Sequence, residues 1–307
     1  MRRPRSVRRA HCGSRRAYRG QIHSARVRIA VLLAALACLM VAPTAQAAPR
    51  VVALTPFTAN TLAIFGVTPL AIGETVGGGE HFSRRLAEVK RLPLAHPNGP
   101  NMEQVAVLDP QLVLSAPVWK KGNDQMRQLG TRVVEIDPRT VADVPKATRW
   151  IGALVGLPAK ARELAEKQRA HVRAAVARAR SRPRVLLVLG VGRASFAFLP
   201  NSWGGDVVEQ AGGRLITAGL RASGGYARIS DEYVIARDPD VIIAVPHGNA
   251  DEIPRLTRYL RSNPAWSTTK AARTGCVYVS NDNALLQPWT SPAQTIADVQ
   301  TKFLKNR

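Results

Sequence analysis

Cysteine is nearly absent: the chain has three, at positions 12, 38 and 276. The first two lie in a leading segment that reads as removable, so one thiol remains and an internal disulfide is excluded. Stability must then come from burial, which 307 residues allow. Aromatic residues are scarce at 5%, so each Trp or Tyr in a loop carries more weight as a ligand contact. No apolar run reaches the roughly 20 residues that a spanning helix needs. The chain also lacks a nucleophile elbow, a zinc-ligand spacing and a phosphate loop. GVGRAS (190–195) opens like a dinucleotide-binding turn but has no third glycine, and no suitable acid follows about 20 residues on. A doubly wound nucleotide-dependent enzyme therefore stands as an alternative without its motif.

Acid is the other shortage, with 44 Lys and Arg against 21 Asp and Glu. Ten of the arginines fall within residues 1–28, which hold no acid, so 34 basic residues still face 21 acidic ones. That balance suits an anionic partner, whether ligand, nucleic acid or membrane surface. It also suits a genome that simply prefers arginine. The basic residues are scattered rather than grouped on one helix or around aromatics, which argues against nucleic acid.

The head of the chain has the layout of a cleaved export signal. Arg26 and Arg28 precede the apolar stretch IAVLLAALACLMVA (29–42), and Ala45-Gln46-Ala47 has the small-x-small form of a cleavage site. Residues 1–47 are read as this signal, which gives a periplasmic product. Alternatives remain open: a twin-arginine signal at SRRAYRG (14–20), a start at Val27, a membrane anchor, and a lipid anchor on Cys38.

The rest of the chain states one unit twice. NMEQVAVLDPQLVLSAP (101–117) and SDEYVIARDPDVIIAVP (230–246) align so that Glu103 meets Glu232 and Asp109-Pro110 meets Asp238-Pro239. Each copy predicts a helix started by an N-cap, Asn101 or Ser230, stopped before Asp-Pro and followed by a buried strand. A glutamate in the first turn complements the helix dipole, worth ~0.3–1 kcal/mol. That explains either glutamate alone but not its recurrence.

Both halves open with a near-continuous apolar strand, RVVALTP (50–56) and RVLLVLG (184–190), and then alternate helix and strand. The pattern predicts an α/β protein of two lobes, each a mainly parallel sheet flanked by helices. The lobes are read as 48–157 and 183–307. Between them, small and apolar residues recur at helical spacing over 158–182, bounded by Pro158 and Pro183. This predicts a linking helix of about 24 residues, roughly 36 Å long and rigid.

In combination, APRVVALTP (48–56), NTLAIFGV (60–67), the two repeats and AGG (211–213) resemble the class III periplasmic substrate-binding proteins of ABC importers for ferric siderophores, haem and cobalamin. The resemblance covers about residues 49–300. It implies ligand held in a cleft between the lobes, no catalysis and no metal site formed by protein ligands alone. It further implies a monomer that delivers its ligand to an ABC permease in the inner membrane, with Glu103 and Glu232 as the docking residues.

In open parallel sheets, ligands sit beyond the carboxyl ends of the strands. That rule selects Thr55, Phe57, His81, His96 and Trp119 in the first lobe. In the second it selects Arg193, Trp203, Arg221, Tyr226, Arg228, His247 and Trp289. The aromatics would wall the cleft and the arginines meet an anion. Any one Trp is as readily explained by core packing, and any one Arg by a solvated surface. The histidines lack metal-ligand spacing, although an imidazole can serve as an axial haem ligand. Haem-binding members of the family carry a Tyr where GGGEHF (77–82) stands, and cobalamin-binding members an aromatic where His96-Pro97-Asn98 stands. With the residual positive charge, these departures rank a ferric siderophore first, haem second and cobalamin third.

Overall fold

A computed structural model describes residues 49–74, 82–221, 224–248, 251–281 and 283–305. The expected signal segment and His81 lie outside the described residues. No helix among the described residues is long and apolar enough to cross a membrane.

The first lobe runs β1 (Val51–Ala53), α1 (Pro56–Phe65), β2 (Ala71–Glu74), β3 (Lys90–Pro93), α2 (Met102–Leu108), β4 (Leu112–Ser115), α3 (Lys120–Gln128) and β5 (Val133–Glu135). Its strands form an all-parallel sheet in the order β3-β2-β1-β4-β5. The apolar runs read as strands because both sheet faces are covered. Val51 and Ala53 point into one apolar cluster with Leu62 and Ile151, while Val52 and Leu54 point into another with Val105 and Met126. Helix α1 starts at a reciprocal cap between Thr55 and Thr58, has Pro56 at its first position, and stops at Gly66, whose φ of 80° suits a residue without Cβ.

A helical hairpin follows. Helix α4 (Val144–Leu154) turns at Gly156 into α5 (Pro158–Val176). The two helices touch where Gly152 faces Ala161, so closely that a Cβ on Gly152 would lie 2.1 Å from that of Ala161. The linking helix is shorter than the sequence suggested: it ends at Val176, not 182. Its 19 residues span about 28 Å. The chain beyond is RARSRPR (178–184), where arginines at every second position would meet as like charges at i,i+4 on a helix, and Pro183 restrains the residue before it. Near its start α5 is tied to the first lobe by Lys160 Nζ donating to the Phe65 carbonyl at 3.3 Å. Farther along it is tied to the second lobe, where Gln168 donates to the Thr290 carbonyl at 2.9 Å. Apolar packing also runs unbroken from Leu62 and Ile151 through Ala161 to Ile296 and Val299.

The second lobe contains β6 (Arg184–Val191), β7 (Ala194–Phe198), α6 (Trp203–Gln210), β8 (Arg214–Leu215), β9 (Tyr226–Ile229), α7 (Asp231–Arg237), β10 (Val241–His247), α8 (Ile253–Arg261), α9 (Lys270–Arg273), β11 (Val277–Val279) and α10 (Pro292–Lys302). Its sheet runs β11-β10-β6-β7-β9, with β8 beside the start of β6. It is mixed. Strands β10, β11 and β8 run parallel to their neighbours, whereas β6–β7 and β7–β9 are antiparallel. The hairpin joining β6 to β7 turns on Gly192 and Arg193, with Gly192 at φ 57°.

The repeated unit is present in three dimensions. Asn101 accepts from the Gln104 amide at 3.1 Å and Ser230 from the Tyr233 amide at 3.3 Å, each capping its helix. Both helices end on an aspartate in the left-handed region, Asp109 at φ 43° and Asp238 at φ 38°. Glu103 and Glu232 occupy the second position of α2 and α7, and both are exposed. Glu232 is held below the usual glutamate range by hydrogen bonds from the Ser230 hydroxyl and its own backbone amide.

Candidate functional site

The carboxyl ends of strands from both sheets converge on a cleft of about 890 Å³. In the first lobe it receives Thr55 and Phe57 after β1, Leu94 and His96 after β3, and Ala116 to Trp119 after β4. Ile136 to Arg139 follow β5 into the same space. In the second lobe Val191 ends β6, Ser202 and Trp203 open α6, and Gly224 and Tyr226 lead into β9. His247 ends β10 and Gly248 follows it, Glu252 precedes α8, and Leu286 to Pro288 close the rim.

Each wall is fixed by local chemistry. Thr55 reaches the cleft while its hydroxyl caps α1, lying 2.9 Å from that of Thr58. His96 stands in a tight loop closed by the Ala95 and Gly99 amide–carbonyl pair, with a cis bond between His96 and Pro97. That loop leans on Trp119 and Gly122: a Cβ on Gly122 would lie 2.0 Å from the Asn98 carbonyl oxygen. Trp119 and Trp203 are only 7% and 4% exposed, so they serve core and cleft at once. Trp203 Nε1 donates to the Ala284 carbonyl at 2.8 Å, and Tyr226 meets Phe198 edge to face at 4.9 Å.

Two contacts cross between the lobes beside the cleft. Arg139 donates to the Gly224 carbonyl, and the Val141 amide donates to Asp206 Oδ2 at 2.6 Å. Three polar side chains at this seam influence one another. Burial pushes the Asp137 carboxyl up; the nearby Arg139 opposes this and Asp143 adds to it. Burial pushes the Tyr226 phenol up to about 12, against the pull of Arg139 and with the help of Asp137. Tyr226 is therefore a neutral hydroxyl at any physiological pH. Burial also lowers the His247 pKa, which keeps its imidazole neutral near pH 7.

Seven of the twelve cleft residues expected from sequence line this space: Thr55, Phe57, His96, Trp119, Trp203, Tyr226 and His247. The arginines do not. Arg193 sits exposed in the two-residue hairpin turn between β6 and β7, outside the cleft lining. Arg221 is exposed beyond β8. Arg228 lies two residues along β9 from Tyr226, exposed and opposite Phe196 in the antiparallel ladder. Trp289 is half-buried next to Pro288 without lining the cleft. Among the described residues, no group of three His, Cys, Asp or Glu side chains is placed to hold a metal. The segment Asp137-Pro138-Arg139 was absent from the sequence-based set. It follows the strand RVVEI (132–136), so the strand-end rule selects it once applied to the fifth strand too.

Residues 51–284 match the family model described as periplasmic binding protein. A cobalamin-binding protein of Halobacterium salinarum is 29% identical over 264 residues, covering 83% of this chain and 69% of that protein. A vitamin B12-binding protein of Salmonella typhi is 29% identical over 224 residues, covering 69% of this chain and 77% of that one. Among solved structures, IsdE of Staphylococcus aureus complexed with heme superposes with a TM-score of 0.70 at 21% identity, covering 84% of this chain and 99% of that one.

Proposed function

This chain belongs to the class III periplasmic substrate-binding proteins of ABC importers, and from that premise we propose that it captures a corrinoid and hands it to a membrane permease. The charge of the cleft carries the reading. Its walls are largely apolar and aromatic, and among the described residues its charged side chains are Asp137 and Glu252 against Arg139, with two histidines and a tyrosine. Such a cleft does not favour an anion. It suits a bulky metal chelate whose rim is polar but uncharged, bound through apolar faces and a few convergent hydrogen bonds. Cobalamin, fringed with carboxamides, has that chemistry, and the relatives from Halobacterium and Salmonella are named for it. Haem brings two carboxylates to a cleft whose described lining holds one guanidinium.

A ferric siderophore is the second reading. It rests on the whole chain, where 34 basic residues outside the first 28 positions outnumber 21 acidic ones and would draw anionic chelates toward the surface. Equilibrium dialysis of residues 48–307 against cyanocobalamin, haem and a ferric hydroxamate separates these readings. The expected result is saturable retention of one cyanocobalamin per chain. Retention of haem or the hydroxamate with no corrinoid bound would overturn the corrinoid reading.

Delivery follows from the repeated unit. Glu103 and Glu232 stand exposed on matching helices of the two lobes, where they can enter arginine pockets on a two-fold-like permease and fix orientation. Helix α5, its apolar packing and the Arg139 and Val141 bonds restrain the lobes, so ligand entry needs little closure. The permease would then pry the lobes apart.

A further inference from the structure

Most of the cleft is apolar, but its seam carries two unpartnered polar groups from opposite lobes. Asp137 leaves β5 of the first lobe and Tyr226 begins β9 of the second; both face the same space. Among the described residues, no hydrogen bond or ion pair reaches the Asp137 carboxylate, and none reaches the Tyr226 hydroxyl. Arg139, the cation among the described residues that lines the cleft, donates to the Gly224 carbonyl and forms no ion pair with Asp137. Yet the two groups are near enough for the charge of Asp137 to hinder ionisation of Tyr226. The seam thus offers a ligand one carboxylate acceptor and one neutral hydroxyl, beside a guanidinium that the Gly224 carbonyl holds in place.

A primary carboxamide answers both groups: its N–H donates to a carboxylate and its oxygen accepts from a phenol. Of these two groups, a carboxylate on the ligand answers only the phenol and meets Asp137 as a like charge in a partly desolvated place. We propose that Asp137 and Tyr226 form a carboxamide-reading pair, which selects chelates with an amide rim over those with a carboxylate rim. The proposal rests on the corrinoid reading and deepens it. Discrimination resides in two side chains that grip one ligand group from opposite lobes, so reading the amide also bridges the cleft.

Two corrinoids of one ring system test it: dicyanocobinamide, whose rim is amide, and dicyanocobyrinic acid, whose rim is carboxylate. Their dissociation constants are measured at pH 7.5 for the wild-type chain, Asp137→Asn and Tyr226→Phe, with thermal melting to check each fold. The wild type is expected to prefer the amide by a hundredfold or more. Asp137→Asn should shrink that preference at least tenfold, mainly by improving binding of the acid. Tyr226→Phe should weaken the amide about fivefold, in an independent variant. An unchanged preference in Asp137→Asn, or equal binding of the two rims by the wild type, overturns the reading pair and leaves the corrinoid reading intact. Failure of the wild type to bind either compound overturns both.

Discussion

The two lobes anchor their first strands with the same device, built to different depths. In the first lobe the Arg50 amide donates to Gln111 Oε1 at 2.9 Å, and its guanidinium reaches the Asp109 carbonyl and carboxylate. In the second the Arg184 amide donates to Asp240 Oδ2 at 2.8 Å, and its guanidinium reaches the carbonyls of Arg237 and Asp238. Arg50 directly precedes β1 and Arg184 opens β6; Gln111 and Asp240 each follow the Asp-Pro corner. The second copy goes further. Lys270 at the start of α9 donates its amide to Asp238 and its Nζ to Asp240, at 2.5 and 2.6 Å. Arg50 is 51% exposed, whereas the bonds of Arg184 are part-buried. What is duplicated is a backbone corner, and each lobe has tied that corner down with its own side chains.

The exposed glutamates give the largest test of how far the lobes are equivalent. Replacing Glu103 and Glu232 together by Ala should reduce uptake of labelled ligand in cells to background while leaving the dissociation constant unchanged. Each single replacement should cost part of the uptake. Full uptake by the double variant would remove the docking role.

Stability should split between the lobes. Asp240→Ala removes acceptors for Arg184 and Lys270 and should cost about 2–3 kcal/mol, because both bonds are charge-assisted or part-buried. Gln111→Ala, which frees one neutral bond at an exposed site, should cost about 1 kcal/mol. In the same way Arg184→Ala should exceed Arg50→Ala, whose exposed ion pair contributes roughly 0–1 kcal/mol. Urea denaturation of the four variants decides this, and equal losses would break the asymmetry.

The smallest effect is in acid. Burial alone would push the Asp240 carboxyl up, but Lys270 and the Arg184 amide outweigh it and hold the group below its ordinary value of 3.8. Its stabilisation is therefore fully present above the unfolded carboxyl pKa and is lost as pH falls through the lowered folded value. Denaturation midpoints between pH 5 and about 2 should fall more steeply for the wild type than for Asp240→Asn. Gln111, its counterpart, cannot titrate, so Gln111→Ala should keep the wild-type slope.

Sequence patterning carried the large features because they follow from burial. Continuous apolar strands such as RVVALTP and RVLLVLG can only sit inside a covered sheet, and the repeat marked its own helices, caps and strands. The antiparallel part of the second lobe was not legible. Strands β7 and β9 are only partly buried and show no continuous apolar run, and nothing in Gly192-Arg193 distinguishes a hairpin turn from a strand-end loop facing a ligand. That ambiguity put Arg193 in the expected cleft set. Arg221 and Arg228 entered it with the strand-end loop that holds them, and a loop's position says little about which way each side chain faces. Trp119, Trp203 and Tyr226 do line the cleft, because they bury their rings near where the chain places them, whereas Trp289 does not. Asp137 and Arg139 were missed although their strand had been recognised, since the loop beyond it was left out of the set.

Hydrogen exchange with and without cyanocobalamin tests the inter-lobe cleft most directly. The account predicts slowed exchange at saturation on both sides of the seam, at His96–Trp119 and Asp137–Val141 in the first lobe and at Gly224–Arg228 and Ala284–Gln287 in the second. Slowing confined to one lobe, or none with ligand in excess, would contradict it.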